Sequence, residues 1–207
     1  MKTKSILVLA LTGAVAAGCA SLMMDKPDRS AEALAMMKVS FKDLGQAKLD
    51  RLDQDEVQKA CSQYTVDSPV PKEVAANIER AQAALIKYPQ GSLMGDWKAG
   101  ERIAQTGVGM QYTDDPKTPA GGNCYACHQL TKAELSYGTI GPPLYNFGKL
   151  RGFTPEMQRY AYGKVYNSDA FSACSNMPRF GHKGILSEQQ IKDVVALLMD
   201  PQSPVNQ

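Results

Sequence analysis

The segment Cys124-Tyr125-Ala126-Cys127-His128 constrains this 207-residue chain more than any other feature. Two cysteines one helical turn apart, followed at once by a histidine, are typical of covalent c-type haem attachment. The spacing places both thiols along one edge of a porphyrin, where they can add to its two vinyl groups. The imidazole then lies under the iron as the proximal ligand. The sequence therefore predicts one haem c held by Cys124, Cys127 and His128.

Two other kinds of site use a Cys-x-x-Cys pair, and both stay open at this point. A thioredoxin-like dithiol requires a βαβ context, and no run of this sequence alternates convincingly as a strand. A zinc site requires two further ligands, which Cys61 and Cys174 could supply. The chain has only two histidines, which excludes any site built on three imidazoles.

A proline-rich segment downstream favours the haem interpretation. Gly141-Pro142-Pro143-Leu144 resembles the Gly-Pro-x-Leu segment that follows the haem-binding turn in cytochromes c. In that arrangement the carbonyl of Pro142 accepts the N–H of the proximal imidazole, which fixes its tautomer and strengthens it as a ligand. The simpler alternative is a rigid turn, and the same residues would satisfy both roles.

The sixth ligand of the iron has five candidates in the sequence: Met110, Met157, Met177, Met199 and His182. Met157 and Met199 fall on apolar helix faces, and Met110 precedes the haem-binding turn, which does not suit the usual chain path. Met177 is followed by Pro178 in a loop, the form in which axial methionines are commonly presented. A thioether favours ferrous iron and raises the reduction potential. We therefore predict Met177 as the axial ligand, with His182 as the alternative.

The N-terminal residues have the layout of an export signal. Two lysines precede an apolar run over residues 6–18, which is too short to span a bilayer but fits a signal-peptide core. Small residues followed by Cys19 resemble a bacterial lipobox. We therefore predict a signal peptide over residues 1–18, a lipidated Cys19 and a periplasmic domain anchored by that lipid. Ordinary cleavage after Ala17 or Ala20, without a lipid, is the alternative.

Charge narrows the range of partners. The 23 basic residues include two lysines of the signal, and all 21 acidic residues follow it, so residues 19–207 carry 21 side chains of each sign. A chain with no net charge and no Lys/Arg stripe lacks the positive field that nucleic-acid binding requires. Contact with a membrane is expected only through the lipid.

Helical periodicity predicts an all-α protein in two parts. Residues 19–91 form a helical N-terminal extension, and residues 92–207 form a domain of short helices and long loops wrapped around one haem. Loops as long as those near residues 139–152 and 167–184 usually enclose something.

The extension contains three predicted helices. The first runs from about residue 30 to 42. The second begins after Asp53, with Glu56 completing a capping box, and its apolar face is Val57, Ala60, Cys61 and Tyr64. The third begins near Pro71 and ends before Pro89, with an apolar stripe of Val74, Ile78, Ala81 and Leu85.

The first and last helices of the haem domain are expected to cross. The first covers residues 97–105, and the last begins after Ser187, with Gln190 as its capping-box partner. Gly100 permits close approach, and its expected neighbours are Val194, Val195 and Leu198. A further helix is expected from Thr154-Pro155.

Three segments carry a closer resemblance. They are Asn123 to His128, Gly138-Thr139-Ile140-Gly141-Pro142, and Cys174-Ser175-Asn176-Met177-Pro178-Arg179-Phe180-Gly181. Together with the last helix they resemble the SoxX family, the small cytochrome subunits of SoxAX complexes. The resemblance is strong over residues 92–205, and the Met-Pro-Arg-Phe-Gly segment carries most of its specificity. The extension is similar to that of the longer SoxX variety.

The resemblance implies a class I cytochrome c-like fold and a role in periplasmic thiosulfate oxidation. SoxAX, an L-cysteine S-thiosulfotransferase, joins thiosulfate oxidatively to a cysteine of the carrier SoxYZ. In this family SoxA holds the catalytic centre, and SoxX accepts electrons and passes them to a downstream cytochrome. No residue of this chain is then expected to be catalytic. The alternative is a freestanding periplasmic monohaem electron carrier.

Two cysteines, Cys61 and Cys174, remain once haem and lipid are assigned. In an oxidising compartment a remaining pair is compatible with a disulfide, which would tie the extension to the Met177 loop. Two buried free thiols are the alternative.

Overall fold

The computed structural model describes residues 28–207, so the predicted signal peptide and Cys19 lie outside the described residues. These residues divide into two compact units, residues 28–42 and residues 43–207. The predicted division at residues 91 and 92 therefore falls inside the second unit. Helix α1 (Ser30–Ser40) belongs to the first unit and has no buried side chain.

The second unit is helical, as predicted. It contains six α-helices: α2 (Glu56–Cys61), α3 (Lys72–Ala83), α4 (Trp97–Gln105), α5 (Phe147–Arg151), α6 (Pro155–Tyr166) and α7 (Glu188–Met199). Short 3₁₀ turns lie before, between and after them. The described part of the chain contains no strand, only an isolated bridge between Leu44 and Ala47. Within residues 28–207 no helix combines the length and hydropathy needed to cross a membrane.

Helix α2 begins two residues later than the sequence pattern predicts. Asp55 caps it by accepting from the Gln58 N–H at 2.9 Å, and Gln58 accepts in return from the Asp55 N–H at 2.9 Å. The predicted capping box at Asp53 and Glu56 is wrong, because the real box has the same spacing shifted by two positions. The predicted apolar face of this helix is partly buried over its whole length.

Helix α3 is shorter than predicted, and its buried face differs. It ends at Ala83, so Leu85 lies beyond the helix and is 46% exposed. Ile78 is buried as expected, but its buried companion is Gln82 rather than Ala81. The Gln82 side chain is buried because it accepts a hydrogen bond from Asn167 Nδ2 at 3.0 Å. Asn167 directly precedes the 3₁₀ turn Ser168–Ala170. A polar contact therefore overrides the apolar stripe.

Helices α4 and α7 make the most extensive helix–helix contact. They cross at Gly100, where a Cβ atom would overlap the Asp193 carbonyl and touch the Leu197 side chain. The expected crossing is present, but the neighbours predicted for Gly100 (Val194, Val195 and Leu198) are wrong. Asp193 and Leu197 lie one helical turn apart and face Gly100, so the three predicted residues point elsewhere into the core.

Helix α7 is the centre of the apolar core. Its residues Ile191, Val195, Ala196 and Leu197 have no measurable exposure. Ser187 caps it and Gln190 completes the capping box, as predicted. After α7 the chain folds back, and Asn206 donates to the Leu198 carbonyl while its Oδ1 accepts from the Gly148 N–H in α5. The C-terminal turn thus holds α5 against the end of α7.

Replacing Gly100 by alanine tests the crossing. In an exposed helix the change would stabilise by about 1 kcal/mol through helix propensity. Here the new methyl group meets the Asp193 backbone, so we expect destabilisation of about 1–3 kcal/mol from overpacking. Denaturant unfolding followed by circular dichroism measures it, with exposed Lys98→Ala in the same helix as the control. A more stable Gly100→Ala variant would contradict the crossing geometry.

Candidate haem-binding site

The Cys-x-x-Cys-His segment forms a tight turn. Cys124–Ala126 is a 3₁₀ turn, entered through Asn123 in the left-handed conformation at φ +46°. The Cys124 carbonyl accepts from the Cys127 N–H at 3.1 Å and from the His128 N–H at 2.9 Å. These two bonds hold both thiols and the imidazole in one compact turn.

The predicted proximal ligand, His128, is oriented by a carbonyl, as the sequence predicts. His128 Nδ1 lies 2.7 Å from the carbonyl oxygen of Pro142. A carbonyl can only accept, so Nδ1 carries the proton and donates it, and Nε2 keeps the free lone pair. A ring with this tautomer offers one nitrogen to a metal and is stiffened through the other.

Glycines fit the segment 137–144 closely around this turn. A Cβ at Gly141 would overlap the His128 ring, and a Cβ at Gly138 would overlap the Ala126 carbonyl. Backbone bonds complete the contact, since the Gly141 N–H donates to the Cys127 carbonyl at 2.8 Å and the Gly138 N–H donates to the Tyr125 carbonyl at 2.9 Å. The imidazole is therefore fixed on one face by backbone that no other residue could supply.

The two thiols of the motif are free. Cys124 and Cys127 form no disulfide and are partly buried. Burial raises the pKa of the Cys124 thiol to about 12. A redox-active dithiol requires a lowered thiol pKa, so this environment does not suit the thioredoxin-like alternative. Free thiols, a preset imidazole and a glycine cradle together fit covalent haem attachment.

Cys61 and Cys174 form a disulfide, the pairing that the sequence analysis put forward. It joins the last residue of α2 to the loop that contains Met177. Both thiols are consumed by this bond, so they cannot complete a zinc site with Cys124 and Cys127. Among residues 28–207 no cluster of three His, Cys, Asp or Glu side chains could hold a metal ion.

Met177 lies in an ordered loop and is partly buried against the main apolar core, as is Cys124. The Ser168 hydroxyl donates to the Met177 carbonyl at 2.5 Å, and the Met177 N–H donates to Ser175 Oγ at 3.2 Å. Its backbone is thus held on both sides by short-range bonds from the same loop.

The loop also contains Arg179, which forms a partly buried ion pair with Asp55. Arg179 is only 8% exposed, and its guanidinium donates to Asp55 Oδ2 at 2.6 Å and lies 3.5 Å from Asp169 Oδ2. Lys183 also donates to Asp55 Oδ2, at 2.7 Å. Burial alone would raise the pKa of Asp55, but bonds from Lys183, the Gln58 N–H and Arg179 outweigh it and hold that pKa well below its usual range.

The other candidates for the sixth ligand lie in different surroundings. Met199 is buried at the end of α7, and Met157 packs partly buried in α6, both as the sequence predicts. Met110 is 40% exposed with a positive φ of +68°. His182 is half-buried, and burial, together with Arg179 and Lys183, lowers its pKa.

Sequence patterns missed Asp55, Asp169 and Ser168 as parts of this site. Asp55 lies three residues before Gln58, which is the spacing of a capping box, but Asp53 and Glu56 have the same spacing. The other two are short polar residues in a loop, and only the fold brings them to Met177.

Comparison with known proteins gives the family. Residues 117–200 match the family model described as cytochrome c. The chain contains a cytochrome c domain. It is also 39% identical over 155 residues to a protein of Aquifex aeolicus (strain VF5) described as an uncharacterized lipoprotein, covering 74% of this chain and 73% of that protein. That alignment is longer than residues 117–200, so the similarity extends beyond the haem domain.

A cytochrome c domain carries covalently bound haem c, and its presence supports a role in electron transfer. The fold agrees with this, because the short helices and long loops are those of a class I cytochrome c domain with an N-terminal helical region. The family does not itself state which residues of this chain hold the haem, and that assignment remains our prediction.

Gly141→Ala tests whether the close approach of this glycine fixes the His128 ring. Because the new methyl group would overlap the His128 ring, we expect the imidazole to be displaced and the yield of protein with attached haem to fall severalfold. Absorption spectra and haem content per chain give the measurement. Exposed Thr139→Ala, two residues away, is the control. An unaltered spectrum and yield for Gly141→Ala would reject this fixed orientation.

Proposed function

We propose that the protein is a SoxX-type cytochrome, the electron-transfer subunit of a SoxAX complex. Cys124 and Cys127 are the residues that bind haem covalently, and His128 and Met177 are the axial ligands. The single observation that carries the haem assignment is the bond from His128 Nδ1 to the Pro142 carbonyl at 2.7 Å, in a turn with two free thiols. The SoxX assignment is supported by the three sequence segments that resemble that family.

The side chains of this chain prepare the iron site in defined ways. Pro142 holds the His128 tautomer, and Gly141 sets the ring plane. Met177 supplies a thioether, which raises the reduction potential relative to a nitrogen ligand. When bound, the haem supplies reversible one-electron chemistry at iron, and the protein fixes its ligands and limits its contact with water.

In this proposal thiosulfate is oxidised on the partner, not on this chain. SoxA holds the catalytic centre, SoxYZ provides the acceptor cysteine, and a downstream cytochrome receives the electrons. Cys174, the cysteine nearest to Met177, is bonded to Cys61 and so offers no thiolate. This agrees with a subunit that relays electrons and contributes no catalytic residue.

We further propose a periplasmic location with a lipid on Cys19. The N-terminal pattern supports it, and the Aquifex relative is described as a lipoprotein. The disulfide is also of the kind that oxidising compartments maintain.

Met177→Ala tests the axial ligand. The oxidised protein is expected to show a weak near-infrared sulfur-to-iron band, and the variant should lose it. Its reduction potential should fall by on the order of 100 mV, within the ~0.8 V range that axial ligands span. Met157→Ala, a partly buried methionine in α6, is the control. A band that persists in Met177→Ala would reject the assignment.

Coexpression separates the SoxAX subunit from the freestanding carrier. The protein is expressed with a candidate SoxA, purified through a tag on one chain, and mixed with SoxYZ and thiosulfate. The proposal predicts a stable complex with a larger cytochrome and thiosulfate-dependent reduction of the haem on this chain. Haem that stays oxidised, in a protein that purifies alone, would favour the freestanding carrier.

A further inference from the structure

Helix α2 contacts the Met177 loop on both sides of the methionine. Its last residue, Cys61, is bonded to Cys174, three positions before Met177. Its N-cap, Asp55, binds the guanidinium of Arg179, two positions after Met177. The two ends of this six-residue helix are therefore bonded to the loop on either side of the methionine, one before it and one after it.

The held segment is a loop with local bonds of its own at Met177, to Ser168 and Ser175, and with further bonds to other elements. Cys174 has a positive φ of +59°, which a cysteine rarely adopts without tertiary support. Asp169 ties the same two flanks together, since its Oδ1 accepts from the Ser175 N–H at 3.0 Å and its Oδ2 faces Arg179. Helix α3 also binds this loop, because the Ala173 N–H donates to Glu79 Oε1 at 3.1 Å, but the bonds from α2 reach the loop both before and after Met177.

The ion pair at one end is buried on its arginine side and partly exposed on the other, where the Asp55 side chain is 31% exposed. Arg179 is 8% exposed and Asp169 is 5% exposed, so removing Asp55 leaves a buried guanidinium with a single carboxylate at 3.5 Å. A buried charge that loses its nearest partner moves toward water or toward a new partner. Either movement would displace the backbone two residues from Met177.

We propose that Asp55 and Cys61 are positioning residues for the axial methionine, acting through Arg179 and Cys174. This inference rests on Met177 being the ligand, as proposed above. Both residues lie outside residues 117–200, the segment that matches the cytochrome c family. The strength of the iron–sulfur bond in this protein is then set in part by a helix that precedes the haem domain.

The physical basis is the weakness of a thioether as an iron ligand. Methionine has three rotatable bonds and no charge, so it remains on the iron only while its loop keeps it there. Small ligands such as imidazole bind ferric haem after the methionine leaves. The rate of imidazole binding therefore measures how firmly the loop is held.

The experiment compares imidazole binding to the ferric holoprotein in stopped-flow mixing. Asp55→Asn removes the charge but keeps a good N-cap, because asparagine caps helices about as well as aspartate. The Cys61→Ser/Cys174→Ser double variant removes the disulfide without leaving a lone thiol. We expect imidazole to bind at least tenfold faster to each variant than to wild type. On heating, we also expect the near-infrared band of each variant to weaken at a lower temperature than the band of the wild type.

Two controls separate positioning from general stability. Glu56→Gln alters the neighbouring position of the same helix, where Glu56 is 90% exposed and pairs with exposed Lys59. Asn206→Ala loosens the contact of α5 with α7, away from α2. Both control variants should bind imidazole at a rate within twofold of the wild-type rate. All proteins are compared at temperatures that lie the same number of degrees below their own thermal unfolding midpoints.

The outcomes distinguish this inference from the function on which it rests. If Met177→Ala abolishes the band while Asp55→Asn and the double serine variant bind imidazole at the wild-type rate, the positioning role is overturned and the ligand assignment stands. If Asn206→Ala accelerates imidazole binding as much as Asp55→Asn and the double serine variant do, the effect is a general loss of stability and the positioning role is also overturned. If Met177→Ala keeps the band, both proposals fail.

Discussion

The close approach of α4 and α7 at Gly100 is the contact on which the rest of this structure depends. It brings the beginning and the end of the haem domain together over a buried backbone contact, with Asp193 accepting from the Asp96 N–H at 2.9 Å. The loop with the predicted haem-binding turn follows α4, and the loop with Met177 leads from α6 into α7. Their side chains pack on the same apolar core, which α7 dominates.

The two sides of the proposed haem site are restrained by different kinds of contact. On the histidine side the restraint is local: glycines and backbone bonds within residues 122–144 fix the imidazole. On the methionine side the restraint is distant in sequence, since the disulfide spans 113 positions and Asp55 reaches Arg179 across a similar distance. The chain-entropy model assigns a disulfide that closes so long a loop about 4 kcal/mol or more. Residues 55–61 of the extension are therefore part of the support of the proposed site.

Much of this arrangement was predictable from sequence because it depends on local patterns. The Cys-x-x-Cys-His spacing, the Gly-Pro pair and the capping box at Ser187 each concern a few neighbouring residues. The structure shows a tight turn at Cys124–Ala126, the bond from His128 to the Pro142 carbonyl and the cap at Ser187, and haem attachment at this turn stays a prediction. The predicted cap at Asp53 failed because Asp53 and Asp55 both satisfy the same three-residue rule, and the fold uses the one that can also bind Arg179. The neighbours of Gly100 were wrong by a fraction of a helical turn, which periodicity alone cannot resolve. Gln82 could not be found, because its burial depends on Asn167, 85 positions away.

The central claim is that the Cys124–His128 turn holds one haem c. Mass spectrometry of proteolytic peptides from the purified holoprotein tests it most directly, together with haem content per chain. The account predicts one haem per chain, found on a peptide in which Cys124 and Cys127 are both modified, while Cys61 and Cys174 stay linked to each other. A purified holoprotein with unmodified Cys124 and Cys127, or with haem attached elsewhere, would contradict it.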